Sequence, residues 1–242
     1  MKLHAIHRLY DERLAQSTKP FRARGASVER CRHCMVNAHL CICAHNVRRA
    51  SHTGFLLVMY DDEVLKPSNT GRLIADAVED TYAYIWSRTS PNEEMLALIK
   101  DPMWQPFVIF PEQYSTPERV VNIPVVSQGK RPLFILIDGT WSEAKKIFRK
   151  SPWMDSLPVL SIKADDASRY KMREACGEGQ LATAEVAAKV LALAGDLKAA
   201  DCLDAWFDVF KEHYLTGKKQ RQLPIPGALD RYKDVVARCE VA

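Results

Sequence analysis

The sequence lacks long hydrophobic runs, internal repeats and low-complexity segments. No apolar stretch approaches the roughly 20 residues that a membrane-spanning helix needs. The first 16 residues, MKLHAIHRLYDERLAQ, carry acidic side chains where a secretory signal would be apolar. These absences exclude an integral membrane protein and a repeat array. We therefore expect a cytoplasmic protein with no membrane partner.

What the sequence does have is an ordinary globular composition. Its 242 residues are 47% hydrophobic and 26% charged, which excludes a disordered or fibrous chain. This length accommodates one large α/β domain and a small accessory module. Nothing in the sequence indicates an obligate protein partner.

Positive charge is concentrated near the N-terminus. Residues 1–50 contain ten Lys and Arg against three Asp and Glu, a charge of +7 that leaves −3 for the rest of the chain. Phosphates are attracted to clustered Arg and Lys largely regardless of sequence, so this asymmetry favours contact with a polyanion. A solvated basic tail is the alternative.

Four of the seven cysteines lie close together, within residues 31–43. A disulfide framework would be spread along the chain and belongs to an oxidising compartment, so a cluster in a cytoplasmic protein favours a metal site. A Cys-x-x-Cys turn and a Cys-x-Cys turn supply four thiolates, which suit tetrahedral zinc. The predicted zinc ligands are Cys31, Cys34, Cys41 and Cys43.

Four sulfur ligands leave no open coordination position, so the predicted zinc is structural rather than catalytic. Two alternatives stay open: an iron–sulfur cluster, or partly free thiols with His33, His39 or His45 replacing a ligand. Neighbouring arginines would offset the negative charge of the thiolates and could then reach RNA. They are Arg30, Arg32, Arg48 and Arg49.

Hydrophobic patterns of strand and helix type alternate along the chain. Strands are predicted at residues 55–59, 107–110, 133–137 and 158–162, with a weaker one at 123–126. Helices are predicted at residues 4–14, 73–79, 93–99, 141–149, 184–194 and 203–214. The alternation indicates an α/β fold with a mainly parallel sheet covered by helices.

Two stretches carry no clear helix or strand pattern. Residues 163–180 form the longer one, which could be an active-site loop or only a surface excursion. The tail after Lys218, which contains Pro224 and Pro226, is expected to wrap the surface.

The most informative polar residues follow the central predicted strand, in the order Asp138, Gly139, Thr140, Trp141. Ligands of open α/β sheets bind beyond the carboxyl ends of strands, where helix N-termini present free N–H groups. A carboxylate there is a candidate catalytic group. A capping box between Thr140 and Glu143 would explain those two residues, but it explains neither Asp138 nor Trp141.

Two further polar segments lead into predicted helices, where they can cap the helix and expose backbone donors. In the second segment Thr183 is a candidate N-cap, followed by Glu185, which favours the helix dipole. Each segment taken alone is explained as well by helix capping as by ligand binding. The candidate binding residues are Ser68, Asn69, Thr70 and Gly71 in the first segment, and Leu181 and Thr183 in the second.

In this order the motifs resemble those of the DTW-domain family. After the cysteines, Glu63 opens E-x-x-x-P-S-N-T-G-R-L and Asp138 opens D-G-T-W. YKMRE at 170–174 with LATAE at 181–185 looks like the last family motif. The resemblance covers residues 30–195, and the ordered set is specific although each member alone is not. The chain departs from the family just before Glu63, where many relatives carry His-Pro, and at Ala182, where relatives often carry Ser.

The resemblance implies a SPOUT-like, knotted α/β fold and a transferase that uses S-adenosylmethionine. The transferred group would be 3-amino-3-carboxypropyl, and the acceptor N3 of a tRNA uridine, which lies in the variable loop in bacterial relatives. We expect a basic N-terminal helix and a zinc module over residues 1–50, and a catalytic domain with a C-terminal tail over residues 51–242.

This chemistry assigns expected roles to the residues. Uridine N3 must lose a proton before it attacks, so Asp138 is the candidate general base. The donor must be bent so that its γ-carbon faces the acceptor, which is mainly a positioning task. Arg169 or Arg173 could hold the donor carboxylate. The other candidate cofactor-binding residues are Ser68, Asn69, Thr70, Gly71, Phe110, Pro111, Gly139, Thr140, Trp141, Leu181 and Thr183.

Two rival functions stay open. An RNA methyltransferase would need the same adenosine pocket but would release S-adenosylhomocysteine instead of methylthioadenosine. A zinc-containing RNA-binding or ribosome-assembly protein without catalysis would keep its RNA affinity in an Asp138→Ala variant.

Overall fold

The protein is described by a computed structural model that covers residues 2–18, 28–162, 181–218 and 227–240. Its helices are α1 (Ala5–Ala15), α2 (Gly71–Ala77), α3 (Glu93–Lys100), α4 (Trp141–Arg149), α5 (Thr183–Leu193), α6 (Leu197–Lys218) and α7 (Ala228–Glu240). Its strands are β1 (Gly54–Met59), β2 (Thr81–Ile85), β3 (Trp104–Ile109), β4 (Val120–Val121), β5 (Arg131–Asp138) and β6 (Val159–Leu160).

The strands form a single six-stranded sheet in the order β2-β1-β5-β3-β6-β4, and every neighbouring pair is parallel. The apolar β5 lies between β1 and β3, as expected of a strand buried on both faces. Met59 pairs with Asp138, so β1 and β5 end together at one edge of the sheet. The predicted α/β fold with a parallel sheet is confirmed.

Helices cover both faces of the sheet. Because side chains alternate along a strand, Phe134 and Leu136 of β5 face a core shared with α1, α2, α5, α6 and α7. Leu133 and Ile135 face a second core that includes residues of α3 and α4. The predicted helices all exist, although α6 begins at Leu197, six residues before the predicted start.

The predicted strand at 123–126 is wrong. Ile123 and Val125 are 62% and 78% exposed, and the edge of the sheet pairs instead through β4, just before them. Three of these helices and strands were not predicted. They are β2, whose five residues flank β1, the short edge strand β4, and α7, which follows the proline-containing tail.

The cysteine segment packs on the core of the sheet. Val36 and Ile42 are fully buried, and they belong to the same hydrophobic cluster as Phe55 and Leu57 of β1. Residues 163–180, predicted as an irregular loop, lie outside the described residues, as do residues 219–226 of the tail. Across the described residues, none of the helices combines the length and apolar character that a bilayer crossing requires.

Candidate active site and metal centre

The candidate active site lies at the edge where the parallel strands end. Asp138 is the last residue of β5, and its side chain is only 3% exposed. Its backbone carbonyl accepts a hydrogen bond of 2.8 Å from the Tyr60 N–H, which follows β1. The buried sheet therefore fixes the backbone position of Asp138.

Two other motif segments bond directly to Asp138. The Asn69 side-chain amide donates to Oδ2 at 2.8 Å, and the Thr183 hydroxyl donates to Oδ1 at 2.9 Å. Residues 69 and 183 are far apart in sequence, yet both meet one carboxylate. A carboxylate has two acceptor oxygens, so Asp138 can accept from both segments at once.

Gly71 allows the segment 68–71 to approach the Asp138 carboxylate closely. A Cβ at this position would lie 2.5 Å from Asp138 Oδ2, a distance that no side chain could occupy without displacing the carboxylate. Thr70 beside it accepts a 3.4 Å hydrogen bond from the Ala184 N–H at its hydroxyl. The first turns of α2 and α5 therefore contact each other as well as Asp138.

Glu63 extends this network and was not assigned a role from the sequence. Its Oε1 accepts from Asn69 at 3.3 Å, and its Oε2 lies 2.8 Å from Lys66 Nζ. The Glu63 side chain is fully buried, so its pairing with Lys66 offsets the cost of burying the charge. The sequence feature that could have indicated a role for Glu63 is its position at the start of the motif that contains Pro-Ser-Asn-Thr-Gly.

Helix capping explains part of these segments, as the sequence suggested. The Thr140 N–H donates to Glu143 Oε2 at 2.6 Å in a capping box. Thr183, however, is the first residue of α5 and not its N-cap. Ala182 takes that place, and its N–H donates to Glu185 Oε2 at 2.8 Å. The Thr183 hydroxyl is therefore available to bind Asp138. Ser68 and Leu181 are half-buried beside these turns.

An aromatic cluster flanks the start of α4. Phe110 follows β3, ahead of Pro111, and its ring stacks on Phe148 and on Trp141 with centroid distances of 4.3 and 5.6 Å. Tyr114 meets Trp141 edge-on at 5.6 Å. Trp141 and Tyr114 remain 36% and 37% exposed, so this cluster presents aromatic faces to solvent.

A pair of aromatic residues lies beyond the ends of β1 and β2, and neither residue was predicted to belong to a site. The rings of Tyr60 and Trp86 stack with centroids 6.2 Å apart, and Lys146 Nζ lies 5.4 and 5.7 Å from them. Trp86 Nε1 donates to Ser151 Oγ at 2.8 Å, which fixes its ring. The sequence does show an aromatic residue directly after β1 and after β2. The pair was missed because β2 itself was not predicted.

The four clustered cysteines form a compact metal-ligand set. Their sulfur atoms all lie within 4.8 Å of one another, and the Cys31–Cys43 and Cys34–Cys41 distances are 3.6 and 3.8 Å. Tetrahedral zinc with Zn–S bonds of about 2.3 Å requires sulfur separations of about 3.8 Å. Within the described ranges this is the one such group of His, Cys, Asp or Glu, and it includes none of the neighbouring histidines.

A buried cation beside the cysteines supports a metal–thiolate centre. Arg72 is 1% exposed, and its three guanidinium nitrogens have no hydrogen-bond partner in the part of the chain that the structure describes. Burial lowers the pKa of Arg72, while Asp76, Cys34 and Cys31 act in the opposite direction. A tetrathiolate zinc carries two negative charges, which would compensate this guanidinium. The residues therefore fit zinc.

The four arginines near the cysteines make local contacts. Arg30 donates to the Met35 carbonyl at 3.1 Å, and Arg48 donates to the Glu79 carbonyl at 2.6 Å. Arg32 pairs with Asp11 at 2.9 Å, and Arg49 donates to the Val236 carbonyl at 3.0 Å. These contacts stabilise the packing of the N-terminal segment. Arg169 and Arg173, predicted to hold a donor carboxylate, lie outside the described residues.

Comparison with known proteins identifies a domain family and a partly matching relative. A family model described as the DTW domain matches residues 28–215. Over 89 residues the chain is 37% identical to tRNA-uridine aminocarboxypropyltransferase 2 of Drosophila melanogaster, a match that covers 37% of this chain. It covers 34% of that relative, so only about a third of the relative's length is matched. No solved structure matches the chain.

Proposed function

Because the chain belongs to the DTW-domain family, we propose that it transfers the 3-amino-3-carboxypropyl group of S-adenosylmethionine to N3 of a tRNA uridine. In this proposal the uridine lies in the variable loop and methylthioadenosine is released. The partial match to a tRNA-uridine aminocarboxypropyltransferase supports both the chemistry and the class of RNA. The convergence of two other motif segments on Asp138 is the observation that carries the proposal.

The proposed reaction exchanges bonds at one carbon atom. The bond from uridine N3 to the γ-carbon forms, and the bond from that carbon to sulfur breaks with its electron pair moving to sulfur. The N3 proton must leave, and Asp138 is our candidate to accept it. Asn69 and Thr183 orient the carboxylate through the hydrogen bonds that they donate to it.

S-adenosylmethionine supplies an electrophilic carbon next to a sulfonium sulfur, and the chain must choose between its γ-carbon and its methyl group. That choice depends on where the donor is held. We propose that four segments at the strand ends hold its adenosine: residues 68–71, 110–111, 139–141 and 181–183. The half-exposed Trp141, supported by Phe110, suits a flat heteroaromatic ring. We assign the donor carboxylate to Arg169 or Arg173.

Zinc has a structural role in this proposal. The four cysteines would occupy all its coordination positions, and their turns pack on the same core as the sheet. We propose residues 1–50 as a zinc module and residues 51–242 as a SPOUT-like catalytic domain with a C-terminal tail. Because four reduced thiols suit a reducing compartment, we propose the cytoplasm as the location.

The test is an assay of both products with purified protein, S-adenosylmethionine and unmodified tRNA. The proposal predicts aminocarboxypropyluridine in the digested RNA and methylthioadenosine in equal amount, detected by mass spectrometry. Asp138→Ala removes both products, whereas Asp155→Ala, which changes an exposed carboxylate after residues 152–154, keeps them.

Two other results would each support one of the alternative functions instead. Methylated nucleoside with S-adenosylhomocysteine would show a methyltransferase. RNA binding without either product, unchanged by Asp138→Ala, would show a binding protein.

A further inference from the structure

Helix α4 concentrates positive charge next to the candidate active site. Residues 141–150, WSEAKKIFRK, contain four cations and one carboxylate, and that carboxylate caps the start of the helix. Lys145, Lys146, Arg149 and Lys150 form no ion pair with any residue that the structure describes. Within the described ranges, no carboxylate therefore neutralises their charge.

The four arginines near the cysteines already donate hydrogen bonds within the protein. The sequence places the greatest excess of positive charge in residues 1–50, but Arg30, Arg48 and Arg49 each donate to a backbone carbonyl. Arg32 is paired with the carboxylate of Asp11. A guanidinium already held by the protein has fewer donors left for a phosphate. In the described part of the chain, the four α4 cations make no such contact with a carboxylate or a backbone carbonyl.

Aromatic rings lie on both sides of the lysines of α4. Lys145 Nζ lies 5.7 Å from the centre of the Trp141 ring, and Lys146 Nζ lies over both Tyr60 and Trp86. Consecutive lysines on a helix point in directions about 100° apart, so each one reaches a different aromatic cluster. Cations beside exposed rings are the combination that holds splayed nucleotides, with rings for the bases and cations for the phosphates.

We propose that this α4 surface, formed by Lys145, Lys146, Arg149 and Lys150 with the neighbouring Tyr60–Trp86 pair, binds the RNA strand on either side of the acceptor nucleotide. The inference rests on the proposed function, because it takes RNA as the substrate. Trp141 begins α4 only three residues after Asp138, so RNA bound along this helix would place a nucleotide at the candidate base. Arg30, Arg32, Arg48 and Arg49 then contribute little to RNA affinity.

The test compares two double charge reversals with the same change in net charge. Lys145→Glu with Lys146→Glu alters the α4 surface. Lys100→Glu with Lys130→Glu is the matched control, because both of these exposed lysines precede strands and so lie at the opposite edge of the sheet. Affinity for unmodified tRNA is measured at several salt concentrations in the absence of S-adenosylmethionine.

We expect the α4 reversal to weaken tRNA binding at least tenfold and to reduce the slope of log K against log salt by about 1–2, since each lost phosphate contact removes about 0.7–0.9. The control, and Arg30→Ala with Arg48→Ala, change the affinity less than twofold. Lys145→Ala with Lys146→Ala, which perturbs folding less, should give the same ranking with a smaller effect.

Equal tRNA affinity of the wild type and both α4 variants would overturn the inference. A larger loss in the Arg30 and Arg48 variant than in the α4 variants would also overturn it. Binding and product formation are measured separately, so the two proposals can fail independently. If the α4 surface binds tRNA and no aminocarboxypropyluridine forms, this inference stands and the proposed function fails.

Discussion

Asp138 is the residue on which the described network converges. Its carboxylate is buried, and it accepts hydrogen bonds from Asn69 and Thr183, which come from two other motif segments. Such a group can serve as a base, hold the segments in place, or do both. Asparagine at this position keeps one oxygen to accept from Asn69 and offers an N–H to the Thr183 hydroxyl, which can also accept. Asp138→Asn can therefore keep both contacts while it removes the basicity, which separates the two roles.

For this reason we predict different effects for Asp138→Asn and Asp138→Ala. The asparagine variant should retain most of the stability but lose transfer activity by about 10²–10⁴-fold, the usual contribution of a general base. The alanine variant should lose similar activity and also about 1–3 kcal/mol of unfolding free energy, because donors are left unsatisfied. Steady-state rates and denaturant unfolding measure both. Near wild-type activity in Asp138→Asn would assign Asp138 to positioning alone.

Arg72 leads to a prediction about the metal. Its buried guanidinium has no partner within the described ranges and lies close enough to Cys31 and Cys34 for their charges to affect its pKa. Arg72→Met keeps the length and removes the charge, so it should still bind one zinc but release it to a chelator about 10–100-fold faster, the usual effect of an outer-shell change. Arg48→Met is the control. Equal release rates in wild type and Arg72→Met would contradict this role.

Among the elements, β5 and α4 were predicted most closely, because a wholly apolar run followed by a capping box leaves little ambiguity. The strand β2 was missed although its Tyr-Ala-Tyr alternation is a strand signal, since only two of its five residues are buried. In α7 the buried residues Ala228, Tyr232 and Val236 recur every four positions within a polar sequence. Pairing of β4 at the edge was not predictable, because it depends on the neighbouring β6.

Helix α1 should dock to the cysteine segment in an acid-sensitive way. Burial, with a smaller effect of His4, lowers the pKa of His7 from about 6.5 to about 4. Its Nδ1 accepts from the His4 N–H and its Nε2 lies 3.3 Å from the His33 carbonyl, a pattern that fits a neutral ring. Between about pH 6.5 and 4 the unfolded chain therefore binds the proton more readily than the folded one.

We therefore predict that His7 contributes its full stabilisation above about pH 6.5 and loses it progressively as the pH falls toward 4. Urea unfolding of the wild type and of His7→Gln at pH 7 and pH 5 measures this effect. The wild type should lose more unfolding free energy across this interval than the variant, in which the zinc ligands still titrate. Equal losses in both proteins would contradict the assignment.

For the whole molecule, the metal centre should matter to global stability. Val36 and Ile42 belong to the hydrophobic cluster that covers one face of the sheet, so loosening the cysteine turns would disturb that core. Removing zinc should lower the Tm by roughly 10 °C or more. This corresponds to a loss of about 3–5 kcal/mol of unfolding free energy, since each kcal/mol shifts the Tm by about 2–4 °C in a domain of this size. Calorimetry with and without chelator tests this, and Cys202→Ser serves as the control. An unchanged Tm would show that the metal does not support the fold.

The sequence singled out the segments that the structure brings together at the candidate site, but not how they meet. The ordered motifs indicated Asp138, Asn69 and Thr183 as members, because polar residues at strand ends and helix starts converge in parallel sheets. The direct bonds to Asp138 depend on the packing of α2 and α5 over β5, which no local pattern specifies. The α4 surface was missed for a related reason, since charge counts do not reveal which cations are already paired.

A double-label transfer experiment tests the central claim most directly. S-adenosylmethionine labelled with ¹⁴C in the carboxyl carbon and with ³H in the methyl group is incubated with the protein and unmodified tRNA, and both labels are counted in the RNA. Aminocarboxypropyl transfer predicts ¹⁴C in the RNA, no ³H there, and the ³H in methylthioadenosine. Recovery of ³H in the RNA, or of neither label, would contradict the account.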